Sequence, residues 1–282
     1  MRILLTGHRG QLGRTLMPLL ASDHEVEGID LPDQDITDRQ AMQRLTDAFL
    51  PDLILNAAAM TNVDGCARNP DLAYRVNGMG VQNLALAAAR TNAELMQIST
   101  NEVFDGQSTA PYREWGPRRP INAYGQSKLA GEWYAERLLS RFYIVRTAWL
   151  YADEGRNFPH RIIQLANERG ALQVVTDEVS NPTYVVDLAE AIIQLIKTHA
   201  YGVYHLVNEG SASRLEFAKA VLTSSRRAEV PIAPIRSNAF QRASTPPAYT
   251  PLSNSAAAAL GIRLRPWRDA VTAFVNAAGY LR

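Results

Sequence analysis

The chain has 282 residues, 46% hydrophobic and 20% charged, a composition that supports a folded α/β protein and excludes a disordered or fibrous one. Its 29 basic and 28 acidic residues leave a formal charge of +1, which gives nucleic acid or an anionic membrane surface no electrostatic reason to bind. The single cysteine, Cys66, excludes an internal disulfide framework, and no apolar run reaches bilayer length, so a cytoplasmic protein without a membrane partner is expected.

The apolar run Ile3-Leu-Leu5 enters Gly7-His-Arg-Gly-Gln-Leu-Gly13, and the residues from about Gln11 to Leu20 read as a helix. Strand, glycine turn and helix in that order form the layout that cradles a dinucleotide pyrophosphate. Gly7 permits the tight turn, Gly10 lets the backbone approach the phosphates, and Gly13 lets the helix close on the strand. Arg9, Gln11 and Leu12 complete this candidate cofactor loop, because the N–H groups of a helix start attract anions.

Glu25 to Asp30 reads as a second strand ending on an acid, 17 residues beyond Gly13, near the offset at which a carboxylate accepts from the adenosine ribose. NADH is therefore the expected cofactor, since a 2′-phosphate would meet a like charge; Arg9 keeps NADPH open as an accepted alternative. Asp35 and Ile36 join the candidate cofactor set, in a capping turn that ends at Asp38 and opens a helix over about 39–49. Residues 52–59 then read as a strand running into Ala57, Ala58 and Ala59, small side chains that leave room for a ligand at the sheet edge. A long helix is expected over about 70–91 and a strand over 94–99.

Three polar residues follow: Thr100 at the end of that strand, then Tyr124 and Lys128 in Tyr-Gly-Gln-Ser-Lys. On a helix the four-residue spacing puts phenol and ammonium on one face. A nearby cation is expected to bring the tyrosine down from its usual value of about 10 towards neutrality, as a general acid requires. Lysine is otherwise confined to Lys197 and Lys219, so its choice at 128 fits a need for a compact ammonium.

From Trp149 onward the alternation loosens, with helices expected over 158–169, 185–197, 215–222 and 267–277 and strands over 172–175 and 203–207. Trp149 is read either as a stacking platform for sugar or base, or as a core residue. The predicted architecture is α/β, a Rossmann-type doubly wound parallel sheet with a smaller C-terminal substrate lobe. The dinucleotide domain would comprise 1–149 and about 183–208, and the lobe about 150–182 and 209–282.

Thr6-Gly-His-Arg-Gly-Gln-Leu-Gly13, Asn56-Ala-Ala-Ala59, Ser99-Thr100, Val103-Phe-Asp-Gly106 and Tyr124-Gly-Gln-Ser-Lys128 together resemble the extended short-chain dehydrogenases/reductases, and more narrowly the dTDP-4-dehydrorhamnose reductase family. Arg146-Thr-Ala-Trp-Leu-Tyr151, Asn157-Phe158, Asn181-Pro-Thr183, Leu252-Ser-Asn254 and Leu264-Arg-Pro-Trp267 extend the likeness over the whole chain. The resemblance implies hydride transfer to C4 of a nucleotide-linked 4-keto-6-deoxy sugar. Tyr124 would protonate the alkoxide, Lys128 hold ribose hydroxyls, and Thr100 bond the keto oxygen.

Two departures bear on the substrate. Where such reductases often read Ser-Thr-Asp-Tyr-Val-Phe, this chain has Asn101 and Glu102 at the sugar-facing pair. Pro246-Pro-Ala-Tyr-Thr250 stands where many carry Arg-Pro-x-x-Ser, which moves the phosphate-binding role towards Arg242. Asn157 joins these as a substrate candidate. Thr15 occupies the place of a metal-associated glutamate, so no metal is expected, and the oligomeric state stays between monomer and homodimer. A nucleotide-sugar dehydratase or epimerase, suggested by Glu102, and a non-catalytic cofactor-binding regulatory subunit are the competing readings.

Overall fold

From the N-terminus, strands and helices alternate: β1 (Arg2–Thr6), α1 (Gln11–Ala21), β2 (Glu25–Ile29), α2 (Arg39–Phe49) and β3 (Leu53–Asn56). The computed structural model describes residues 1–239 and 242–281. Short helices α3 (Val63–Arg68) and α4 (Pro70–Tyr74) lead through a wide π-helical turn at Arg75–Met79 into α5 (Gly80–Thr91). β4 (Glu94–Thr100), α6 (Ala123–Leu138) and β5 (Phe142–Thr147) follow.

The helix expected as one piece over 70–91 is thus interrupted. At the π-helical turn Asn77 is directed inward, where its Oδ1 accepts from Met60 N at 2.8 Å and its Nδ2 donates to Met60 O and to Ser127 Oγ, each at 3.0 Å. These bonds tie the segment after β3 to α6, and a π-helical turn accommodates the one residue more per turn that this needs.

Six parallel strands pair in the order β2-β1-β3-β4-β5-β10, where β10 (Gly202–His205) returns to the sheet from the C-terminal half. Both faces are covered, as an all-parallel sheet requires. Ile3, Leu5, Leu53, Leu55 and Met96 enter one core, while Leu4, Ile54 and Leu95 enter the other. Strand order reverses between β1 and β3, and in a Rossmann-type sheet that reversal opens a crevice beyond the strands' C-terminal ends.

Between β5 and β10 lie β6 (Leu150–Tyr151), α7 (Phe158–Arg169), β7 (Leu172–Val175), β8 (Val179–Ser180), β9 (Thr183–Tyr184) and α8 (Val185–Thr198). After β10 come β11 (Ala212–Ser213), α9 (Arg214–Ser224), β12 (Ile232–Ile235), α10 (Ser255–Ala259) and α11 (Trp267–Ala277). Strands from these two stretches pair outside the main sheet, β7 with β12 in parallel and β8 with β11 antiparallel.

Candidate active site

The C-terminal ends of β1, β3, β4 and β5 border a cavity of about 610 Å³, a size that suits a small-molecule ligand. Gly7 sits at φ +73, where a side chain would be strained, and a Cβ there would lie 2.6 Å from Ala58 N. A Cβ at Gly13 would lie 2.2 Å from Gly7 O, so α1 rests directly on the turn. At Gly10 a Cβ would meet only Gly7 O, at 3.2 Å, leaving this face of the loop open to the cavity. Gly10 caps α1 without a side-chain hydrogen bond, so the first N–H groups of the helix are available to a ligand. A backbone cradle of this kind fits a pyrophosphate. Gln11, Leu12, Ala57 and Ala59 line the same cavity.

Five other proposed cofactor residues, Arg9, Asp30, Asp35, Ile36 and Ala58, lie outside the lining. Asp30 accepts from Arg9 N at 3.0 Å and Leu31 N at 2.8 Å, and Arg9 donates to Leu31 O at 2.9 Å and pairs with Asp33. These bonds organise the turn after β2. Asp35 accepts from Thr37 N at 2.8 Å, Ile36 is buried in the core, and the Ala58 N–H donates to Asn56 Oδ1 at 3.1 Å.

Thr100 ends β4, and its Oγ1 accepts from Glu102 N at 3.2 Å to start a short 3₁₀ turn. Asn122 caps α6 by accepting from Gly125 N at 2.8 Å, which places Tyr124 in the first turn and Lys128 one turn later on the same face. Thr100, Tyr124 and Lys128 share one wall of the cavity. Lys128 Nζ donates to Ile98 O at 2.6 Å, and burial brings its pKa down to about 8, against the opposing pull of Glu132.

The phenol does not follow the lowering expected of it. Burial, reinforced by the negative charge of Glu102, pushes Tyr124 above its ordinary value, and the hydrogen bond with Thr100 only partly opposes this. Lys128 spends a donor on a carbonyl, so burial dominates and the phenol holds its proton throughout the neutral range. For a group that gives a proton to a forming alkoxide, that is the required state.

Two buried arrays stand behind this wall. Thr6 Oγ1 bonds Asn56 Oδ1, Asn56 Nδ2 donates to Gln97 Oε1 at 2.6 Å, and Gln97 Nε2 donates to Ile98 O at 2.6 Å, the carbonyl that also receives Lys128. Beneath α6, Glu132 takes both arms of Arg146 at 2.9 and 2.8 Å and accepts from Ser99 Oγ at 2.5 Å. Burial raises the Glu132 carboxyl, but Arg146, Ser99 and Arg118 together hold it below its usual range.

Next to Thr100, Asn101 lines the cavity while its Nδ2 donates to Thr250 Oγ1 at 2.7 Å and to Ser180 Oγ at 3.3 Å. Glu102 Oε2 accepts from Asn122 Nδ2 at 2.7 Å. Trp149, at φ 41, stacks under Arg214, whose guanidinium carbon lies 3.6 Å from the ring centre. Asn157 lines the cavity as the cap of α7, accepting from His160 N at 3.4 Å and donating to Ala152 O at 2.7 Å. Arg242 lies outside the lining and pairs with Glu178 at 2.7 Å, which also pairs with Arg214 at 3.5 Å.

Arg214, Arg156 and Thr147 also line the cavity and escaped the sequence reading. Ser213-Arg-Leu-Glu216 is a capping box that marks the start of α9, a local signal that says nothing of a cavity. Thr147 becomes visible only from the pairing of β5 with β4, which sets it beside Thr100.

A family model described as RmlD substrate binding domain matches residues 1–279. A spore coat polysaccharide biosynthesis protein, SpsK, of Bacillus subtilis is 37% identical over 98% of this chain and 97% of its own. The crystal structure of a dTDP-4-dehydrorhamnose reductase from Clostridium acetobutylicum superposes with TM-score 0.94 at 37% identity, over 98% of this chain and 99% of that one. A dTDP-4-dehydrorhamnose reductase from Bacillus anthracis, solved in complex with NADP, gives TM-score 0.94 at 36% identity over 98% of each chain. With the glycine cradle facing Thr100, Tyr124 and Lys128 across one cavity, and the match running nearly end to end, this chain belongs to the RmlD substrate binding domain family.

Proposed function

We propose that the chain reduces the 4-keto group of a nucleotide-linked 6-deoxy sugar, taking dTDP-4-dehydro-L-rhamnose to dTDP-L-rhamnose with NAD(P)H. The observation that carries this reading is the placement of a protonated phenol, a threonine hydroxyl and a buried ammonium on the wall facing the phosphate cradle. A reduced nicotinamide, when bound, supplies the hydride. Thr100 hydrogen-bonds the keto oxygen, Tyr124 gives its proton to that oxygen as it becomes an alkoxide, and Lys128 holds the ribose hydroxyls and steadies the negative charge. Residues 150–182 and 209–282 supply the substrate lobe, and 1–149 with 183–208 the cofactor domain.

An acid at the end of β2, Asp30, supports NADH, because a carboxylate beside the adenosine ribose would repel a 2′-phosphate; the adjacent Arg9 and the NADP complex of the Bacillus anthracis relative favour NADPH as a second reading. Asp30→Ala should raise the NADPH to NADH ratio of kcat/KM, and an unchanged ratio would remove Asp30 from cofactor selection. The dehydratase reading is disfavoured by Asn101, a buried amide whose N–H groups donate hydrogen bonds but are too weakly acidic to transfer a proton.

The main test follows absorbance of the reduced cofactor in the presence of dTDP-4-keto-6-deoxy-L-mannose. Turnover that Tyr124→Phe lowers by roughly a hundredfold or more is the expected result. No oxidation of either NADH or NADPH overturns the reading.

A further inference from the structure

Two charged side chains on the cavity wall are held from behind and left open in front. Glu102 enters from the turn after β4, with Oε2 fixed by Asn122, and its Oε1 has no hydrogen-bond partner among the described residues. Arg214 enters from the start of α9. It is laid flat on Trp149 at 3.6 Å and held only through Nε, by a long 3.5 Å contact to Glu178, so neither Nη has a hydrogen-bond partner among the described residues. No ion pair joins the two, yet each feels the other's charge, so a gap separates a carboxylate from a guanidinium.

An apolar group in such a gap would strand both charges, at a cost in desolvation. A group with a donor at one end and an acceptor at the other satisfies them together. Tyr124 lies close enough to Glu102 to be shifted by its charge, so the gap adjoins the place where the ketone sits. In a 4-keto-6-deoxyhexose the ring neighbours of the ketone are the C3 hydroxyl on one side and the C5 carbon, which bears the methyl, on the other.

We propose that Glu102 and Arg214 clamp the vicinal 2,3-diol of the sugar, the carboxylate accepting from the 3-hydroxyl and the guanidinium donating to the 2-hydroxyl, and so set sugar specificity. This rests on the nucleotide-sugar reading above and names the part of the sugar that this chain recognises. The residues that touch the diol are specificity residues; proton delivery stays with Tyr124.

The test compares dTDP-4-keto-6-deoxy-L-mannose with its 2-deoxy analogue, using wild type, Glu102→Gln, Arg214→Met, Arg214→Lys and the Glu102→Gln/Arg214→Met double variant. Wild type should prefer the diol by roughly tenfold to a hundredfold in kcat/KM, the size expected for a lost hydrogen bond to a charged group. Arg214→Met should erase most of that preference through KM, Arg214→Lys should retain part of it, and the double variant should lose little beyond the larger single effect, because one ligand bridges both groups. Calorimetry with dTDP-L-rhamnose and its 2-deoxy analogue reads the same discrimination without turnover, and melting curves confirm that each variant is folded. Equal use or binding of the two sugars by wild type, or full discrimination retained in folded Arg214→Met, overturns the clamp. Binding discrimination without any ketone reduction would instead overturn the reductase reading and leave the clamp standing.

Discussion

Lys128 carries its charge inside the cavity wall, with Nζ 2.6 Å from Ile98 O and a pKa drawn down to about 8 by burial. In the proposed reaction the ammonium is the stronger donor to the ribose hydroxyls and the only form that steadies the developing negative charge, so the working form exists below that value and is lost as pH rises through it. The pH profile of kcat/KM for the reduced cofactor should therefore be flat near neutrality and fall with one proton lost near pH 8. Tyr124 adds no limb there, because its pKa lies above its ordinary value. Lys128→Arg keeps the charge into strongly alkaline solution, so the limb should move up by more than two pH units while the plateau drops, since the planar fork does not reproduce the ammonium. An unmoved limb would assign the titration to another group. At this scale the sequence showed which residues meet, through a spacing of four on a helix. It could not show the sign of the tyrosine shift, because burial depends on walls contributed by β4, β5 and α9.

The helix that bears Tyr124 and Lys128 is secured from below by Glu132, fully buried against Arg146 at 2.8 Å. Such a pair adds little net stability over an apolar pair, but removing one member strands the other. Glu132→Gln should cost roughly 3–5 kcal/mol in urea unfolding, and adding Arg146→Met to it should recover part of that loss. Independent, additive losses would mean that the pair does not act as one unit. Among the elements, α2 and α7 were legible to the residue, because Asp38 and Asn157 cap them and their apolar positions recur at helical spacing. The strand β5 was not separated from its surroundings, since Phe142-Tyr-Ile-Val is a short apolar run that periodicity alone cannot assign.

At the scale of the whole molecule, the C-terminal stretch is fastened to the sheet domain through Asp187 on α8. Its buried carboxylate receives Arg265 Nε at 2.9 Å and Nη2 at 2.5 Å, and Asn208 Nδ2 at 2.6 Å. Asp187→Ala should lower stability by roughly 2–4 kcal/mol, read as a shift in the urea midpoint. A midpoint unchanged within error would mean that the fastening lies elsewhere. The alternation of strands and helices made the parallel sheet readable in advance, down to the return of β10. Glu102 was readable as a sugar-facing candidate but its companion Arg214 was not: the two are 112 positions apart, and only the folding together of distant segments brings them to one space. The π-helical turn at Arg75–Met79 has a further consequence, which concerns length rather than residue type. Deleting one residue there would let the helix run on as a regular α-helix and would rotate one flank against the other by about 100°, the angle per residue. Asn77 would swing off Met60 and Ser127, and α6 would lose its tie to the segment after β3. A one-residue deletion in this helix should therefore be far less tolerated than the same deletion in a surface loop. Relatives of this chain that keep the cavity are expected to keep the residue count between β3 and β4.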